Sequence, residues 1–123
     1  MRSKELVEVV ERALEDLKAV DIRTLEVSGL TSITDFMIVA GGTSDRHVRS
    51  IADNVIEKAR EAGADVLGVE GHEFGEWVLV DLTDVVVHIM QSRVRDFYKL
   101  ENLWNMDESA GDSDAVSDAG AAR

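Results

Sequence analysis

The run GEWVLVDLTDVVVHIM, residues 75–90, limits the fold more than any other stretch of this chain. It reads as two apolar strands folded about Leu82-Thr83, since short apolar runs on either side of turn residues make a hairpin. A two-residue turn there sets Asp81 opposite Asp84, Leu79 opposite Val86 and Trp77 opposite His88. Side chains alternate along a strand, so Val78, Val80, Val85, Val87 and Ile89 share one face. That face is wholly aliphatic and must meet helices. The other face carries Trp77, Leu79, Asp81, Asp84, Val86, His88 and Met90. It is too apolar for plain solvent surface and too charged for plain core. Half-buried faces with a large aromatic and a methionine are what binding surfaces use. Plainer roles compete with that one. Trp77 can roof a second layer of core, His88 can pack beside it, and Asp81 and Asp84 can bond backbone at the turn.

The rest of the chain supplies the partners for this hairpin. Leu6, Val10, Leu14 and Leu17 recur at helical spacing after a Ser3 cap, which predicts a helix over 4–19. A short strand follows at 24–27. The run DFMIVA, 35–40, is apolar enough for a strand covered on both sides, and Gly41-Gly42 break it. Ser44 caps a second helix with the buried stripe Val48, Ile51, Ala52, Val55, Ile56 and Ala59, stopped at Gly63. Residues 65–69 form a third inner strand, and EGHEFG is a loop. Val94, Phe97, Leu100 and Trp104 mark a C-terminal helix. The order α-β-β-α-β-β-β-α predicts an α/β fold, with a mixed five-stranded sheet, flanking helices and a parallel crossover through the second helix. One domain spans 1–104, and 105–123 is an acidic tail too poor in apolar residues to order.

Charge and composition exclude several functions. The formal net charge is −12, and the chain up to residue 104 still holds 20 acids against 12 bases. Such a surface repels phosphate backbones and steers toward basic proteins, so direct nucleic-acid binding is not expected. There is no Cys, hence no disulfide framework or thiolate metal site. No apolar run reaches the ~18 residues needed to cross a bilayer, and no signal peptide opens the chain, so a cytoplasmic protein without membrane attachment is expected. His47, His72 and His88 are not spaced for one metal. The alternative is a nucleotide-binding or nucleotidyltransferase-type enzyme. It would set phosphate on the Gly41-Gly42-Thr43-Ser44 turn and use Asp81, with Asp84 or Asp35, to hold Mg²⁺. Those carboxylates do not share a strand face at two-residue spacing, so no enzyme, catalytic residue or cofactor is expected.

Three stretches carry a family resemblance: TSITDFMIVAGGTSDRHVRSIADNV (31–55), GVEGHEFGEWVLVDLTDVVVHIM (68–90) and RDFYKLENLW (95–104). In that order they closely resemble the ribosomal silencing factor family, also called the Iojap family, over residues 6–104. The resemblance implies a nucleotidyltransferase-like core without transferase activity. It implies a translational repressor that binds the large ribosomal subunit through ribosomal protein L-fourteen. Such a repressor hinders joining of the small subunit, chiefly when nutrients are scarce, and is a homodimer when free. On this chain the expected partner-binding residues are Trp77, Met90 and Tyr98 as apolar anchors, with Asp81 and Asp96 meeting Lys or Arg and His88 positioning Trp77. Thr83 departs from the family, where many relatives have Gly. Gln91-Ser92-Arg93 departs too, where many have Pro and an acid.

Overall fold

The computed structural model describes residues 2–30, 32 and 34–98, with side chains described as far as residue 95. The elements are α1 (Ser3–Asp16), β1 (Val20–Glu26), β2 (Phe36–Gly42), α2 (Asp45–Glu61), β3 (Gly68–Glu70), β4 (Trp77–Asp81), β5 (Val85–Gln91) and α3 (Ser92–Tyr98). The five strands form one sheet in the order β1-β2-β5-β4-β3. Only β2 and β5 pair in parallel; β1–β2, β4–β5 and β3–β4 are antiparallel.

The predicted aliphatic face is the centre of the core. Val78, Val80, Val85, Val87 and Ile89 are each 0% exposed. They lie under α1, through Leu6, Val10 and Leu14, and under α2, through Val48, Ile51 and Val55. Both helices present apolar stripes at three- and four-residue spacing, which is why they lie flat on the sheet. Polar clamps fix the two helices to each other. Asn54 Nδ2 donates to the Ala13 carbonyl at 2.9 Å. The Thr43 amide donates to His47 Nδ1 at 3.0 Å, so His47 carries its proton on Nε2 and donates it to Leu17 O at 2.7 Å.

Several boundaries differ from expectation for local reasons. Arg2, not Ser3, caps α1, and its amide is bonded by Glu5 Oε1 at 3.0 Å. The Ser3 hydroxyl instead donates to Asp35 Oδ2 at 2.6 Å. Gly41-Gly42 do not break β2, which runs through both. A Cβ on Gly42 would stand 2.7 Å from the Val48 side chain, so glycine there admits the start of α2. Ser44 does cap α2, accepting from His47 N at 3.0 Å. The strand placed at 65–69 is β3, and it is an edge strand rather than an inner one. β2 and β3 run the same way, as a crossover requires, but β5 and β4 lie between them.

The hairpin turns at Thr83-Asp84, not Leu82-Thr83. Leu82 N donates to Val85 O at 2.9 Å, and Trp77 pairs with Met90, Leu79 with His88 and Asp81 with Val86. The slide is two residues, so every side chain keeps its predicted face. Its cause is Leu82, which is 3% exposed inside the core and would lie at the tip under the shorter register. Asp84 N bonds Leu82 O at 2.9 Å across Thr83, whose φ is 75°, and Asp81 Oδ1 accepts from Thr83 N at 2.9 Å. A β-branched residue in that region is strained.

α3 starts at Ser92, and Arg95 ties it back across the sheet. Arg95 is 5% exposed; its guanidinium donates to the carbonyls of Val20 and Asp21 and lies 3.7 Å from the Asp21 carboxylate. Leu100, Trp104 and the tail from residue 105 lie outside the described residues.

Replacing Thr83 with Gly should relieve the tip. The left-handed penalty of ~1–2 kcal/mol is removed, against ~0.5–1 kcal/mol of extra glycine entropy. Thermal unfolding should show a midpoint a few degrees higher, and a lower midpoint would contradict the strained turn.

Candidate partner-binding site

Opposite the helices, the sheet presents its other face. Strand pairing arranges its side chains in rows: Trp77 beside Met90 and Gly41, Leu79 beside Glu70, His88 and Val39, and Asp81 beside Gly68, Val86 and Met37. The β1–β2 half of this face is closed. Val27, Met37, Val39 and Met90 form a second buried cluster, with Leu25, Trp77 and Val94 packed against it. Among the described residues the β4–β5 half is less covered, and Trp77, Leu79, Val86 and His88 are each only partly buried there.

Trp77 and His88 form one unit on this open half. The indole Nε1–H donates to His88 Nδ1 at 3.0 Å, with ring centroids 5.9 Å apart and planes tilted by 58°. An acceptor Nδ1 must be bare, so His88 is neutral and its proton sits on Nε2. Burial favours the same state by penalising the imidazolium, and it lowers the His88 pKa from 6.5 to about 4. Beside the pair lies a shallow cavity of about 310 Å³, lined by Glu70, Gly71, Trp77, Leu79 and His88. Gly71 has φ 83°, and a Cβ there would stand 2.1 Å from Trp77 O, so glycine lets the EGHEFG loop pass close over the start of β4. The β4 entrance is held by Gln91, whose amide N bonds Glu76 O at 2.9 Å and whose side chain bonds Gly75 O at 3.1 Å.

A family model described as ribosomal silencing factor during starvation matches residues 1–123. The ribosomal silencing factor of Chromobacterium violaceum is 52% identical over 104 residues, covering 85% of each chain. That of Haemophilus influenzae is 46% identical over 99 residues, covering 80% of this chain and 97% of the relative. A crystal structure of a Chromobacterium violaceum protein superposes with a TM-score of 0.84 at 51% identity, over 85% of this chain and 88% of that one. The chain belongs to the ribosomal silencing factor family. That designation is a regulatory one. In this ribosomal silencing factor chain the two parts of the nucleotidyltransferase alternative do not meet. Gly42 pairs with Gln91 and Asp81 with Val86, so the Gly-Gly-Thr-Ser turn and Asp81 stand at opposite ends of the sheet, roughly 17 Å apart along β5. Among the described residues no helix is long and apolar enough to cross a membrane, and no group of three or more His, Asp or Glu could hold a metal ion.

The predicted binding residues divide into three sets. Trp77 and His88 are brought together at the cavity. Met90 is 0% exposed, so it is not a contact anchor; it stands opposite Trp77 in the pairing and supports the indole from below. Asp81 shares the face but sits ~13 Å along β4 from Trp77, and one carboxylate oxygen already serves the turn at Thr83. Asp96 and Tyr98 lie on α3, and their side chains are outside the described residues. Glu70 and Gly71 were not foreseen. Their place at the cavity depends on β3 lying beside β4, which the local pattern of the EGHEFG loop does not disclose.

Neutral His88 makes stability depend on pH. Its pKa is depressed in the folded state, so below 6.5 the unfolded chain binds a proton that the folded one refuses until about 4. This contribution is intact above pH 6.5 and is lost on descending toward pH 4, by roughly 2–3 kcal/mol. Urea unfolding of the wild type and His88→Gln at pH 7 and 4.5 isolates it. The wild type should lose more stability than the variant, and equal losses would contradict a neutral His88.

Proposed function

We propose that the chain represses translation by occupying the subunit-joining face of the large ribosomal subunit. It binds through ribosomal protein L-fourteen, and the β4–β5 face is the contact surface. The observation that carries this reading is the Trp77–His88 pair, a half-buried aromatic held in one orientation beside an open apolar cavity. Buried aromatic anchors dominate the affinity of protein interfaces. The acidity of the chain supports a basic partner, because a net charge of −12 speeds encounter with a positively charged protein and repels RNA phosphate. The family membership supports ribosome association, cytoplasmic action and a role when nutrients are limiting. Blocking is steric, since subunit joining is stopped by an occupied docking surface with no bond made or broken. In the absence of ribosomes the same face closes a homodimer around Trp77.

Mixing the two ribosomal subunits with and without the protein, then separating them on a gradient, tests this directly. Joined particles should fall as protein is added. Trp77→Ala should need about thirtyfold more protein, the effect of losing ~2 kcal/mol at an aromatic anchor, and should run as a monomer on sizing. Joined particles unchanged at saturating protein would reject the reading. A Trp77→Ala variant that no longer binds the subunit yet stays dimeric would separate the two surfaces.

A further inference from the structure

His88 has a second nitrogen whose use the Trp77 bond does not explain. Nδ1 accepts from the indole, so Nε2 bears the proton. His88 lines the cavity, and no described residue accepts from Nε2. Its ring orientation is set by Trp77, so this N–H is a donor fixed in advance, which lowers the cost of making a new bond. We infer that His88 Nε2–H is a recognition donor, and that the cavity formed with Glu70, Gly71, Trp77 and Leu79 receives an uncharged oxygen of the ribosomal partner protein, a carbonyl or a hydroxyl.

The class of group follows by elimination. A lysine or arginine head offers only donors and cannot pair with an N–H. A carboxylate or an RNA phosphate would have to enter beside Glu70 on a chain of net charge −12. A purely apolar group would bury the imidazole N–H without a partner, which costs affinity. An uncharged oxygen escapes all three objections. The inference rests on the proposed binding of this face to the large subunit, and it adds the atom that selects the partner's group.

Two isosteres separate the nitrogens of His88. The Asn side chain reaches about as far as Nδ1 and can keep the indole acceptor. The longer Gln side chain can place an N–H near Nε2. Both variants are placed in a Trp104→Phe background, so that fluorescence reports Trp77 alone, and binding to purified large subunits is measured at fixed salt. His88→Asn should keep the indole emission and bind about tenfold more weakly than the parent, the usual effect of an unmade buried hydrogen bond. His88→Gln should shift the emission and recover most of that loss. If Gln binds as weakly as Asn, or more weakly, His88 acts only by positioning Trp77 and the inference fails. A parent protein that does not bind the subunit overturns the underlying reading and this inference with it. Should either variant fold poorly, the unaltered protein labelled with nitrogen-15 histidine gives a second test. On addition of ribosomal protein L-fourteen alone, the His88 Nε2–H should become protected from exchange with water, and exchange as fast as in the free protein would count against the bond.

Discussion

Burial of one aliphatic sheet face under two helices is the constraint from which the rest of the molecule follows. Val78, Val80, Val85, Val87 and Ile89 are all removed from water, and at ~1.5–3 kcal/mol per side chain this face contributes on the order of 10 kcal/mol. That is comparable with the whole stability of a typical domain. The parity of the strands is therefore not negotiable, since a slip by one residue would turn five aliphatic side chains outward. Once they point in, Trp77, Leu79, Val86 and His88 must point out. The candidate binding surface is the reverse side of the core, specified by the same alternation.

The reverse side is not uniform, and the difference between its halves is what localises the site. Over β1 and β2 the side chains of Leu25 and Val27 join Met37, Val39 and Met90 in a closed second cluster. Over β4 and the neighbouring part of β5, Trp77, Leu79, Val86 and His88 remain only partly buried, and the loop beside the cavity contributes Gly71 rather than a bulky side chain. Trp77 stands at the border. It packs against Met90 below and spends its one polar hydrogen on His88 beside it. That arrangement fixes a ring that remains only partly buried. An indole N–H left to seek water or a partner would add a competing orientation, whereas here the face of the ring is presented in one pose. The two exposed edges of the sheet are handled differently from this face. β1 carries Asp21, Arg23 and Glu26, and β3 is only three residues long, both of which discourage pairing with stray strands.

Alternation and helical periodicity made most of this architecture legible in the amino-acid order. The element order, the aliphatic face of the hairpin and the Ser44 cap all follow from local patterns. What was not legible depended on contacts distant in the chain. The turn slid to Thr83-Asp84 because Leu82 finds room in the core beneath the helices, a fact no local turn rule contains. Gly41-Gly42 resembled a strand end and a phosphate loop, yet Gly42 is there because Val48 comes within reach of its missing side chain. β3 looked like an inner strand because its apolar residues matched one, although Leu67 remains 69% exposed beside it. At the site, Trp77 and His88 were both singled out and set directly opposite each other; the two-residue slide makes them diagonal neighbours instead, and their side chains still bond. Met90 was misjudged because a methionine opposite a tryptophan can lie under the ring as readily as beside it.

Hydroxyl-radical footprinting of side chains, with and without saturating large ribosomal subunits, tests the central claim most directly. The account predicts that Trp77 and Leu79 lose reactivity in the complex. Leu67, 69% exposed at the far edge, and Val20, 42% exposed on β1, should keep theirs. Protection of Leu67 or Val20 with Trp77 unchanged would show that another surface binds, and would contradict a docking role for the open half of the sheet.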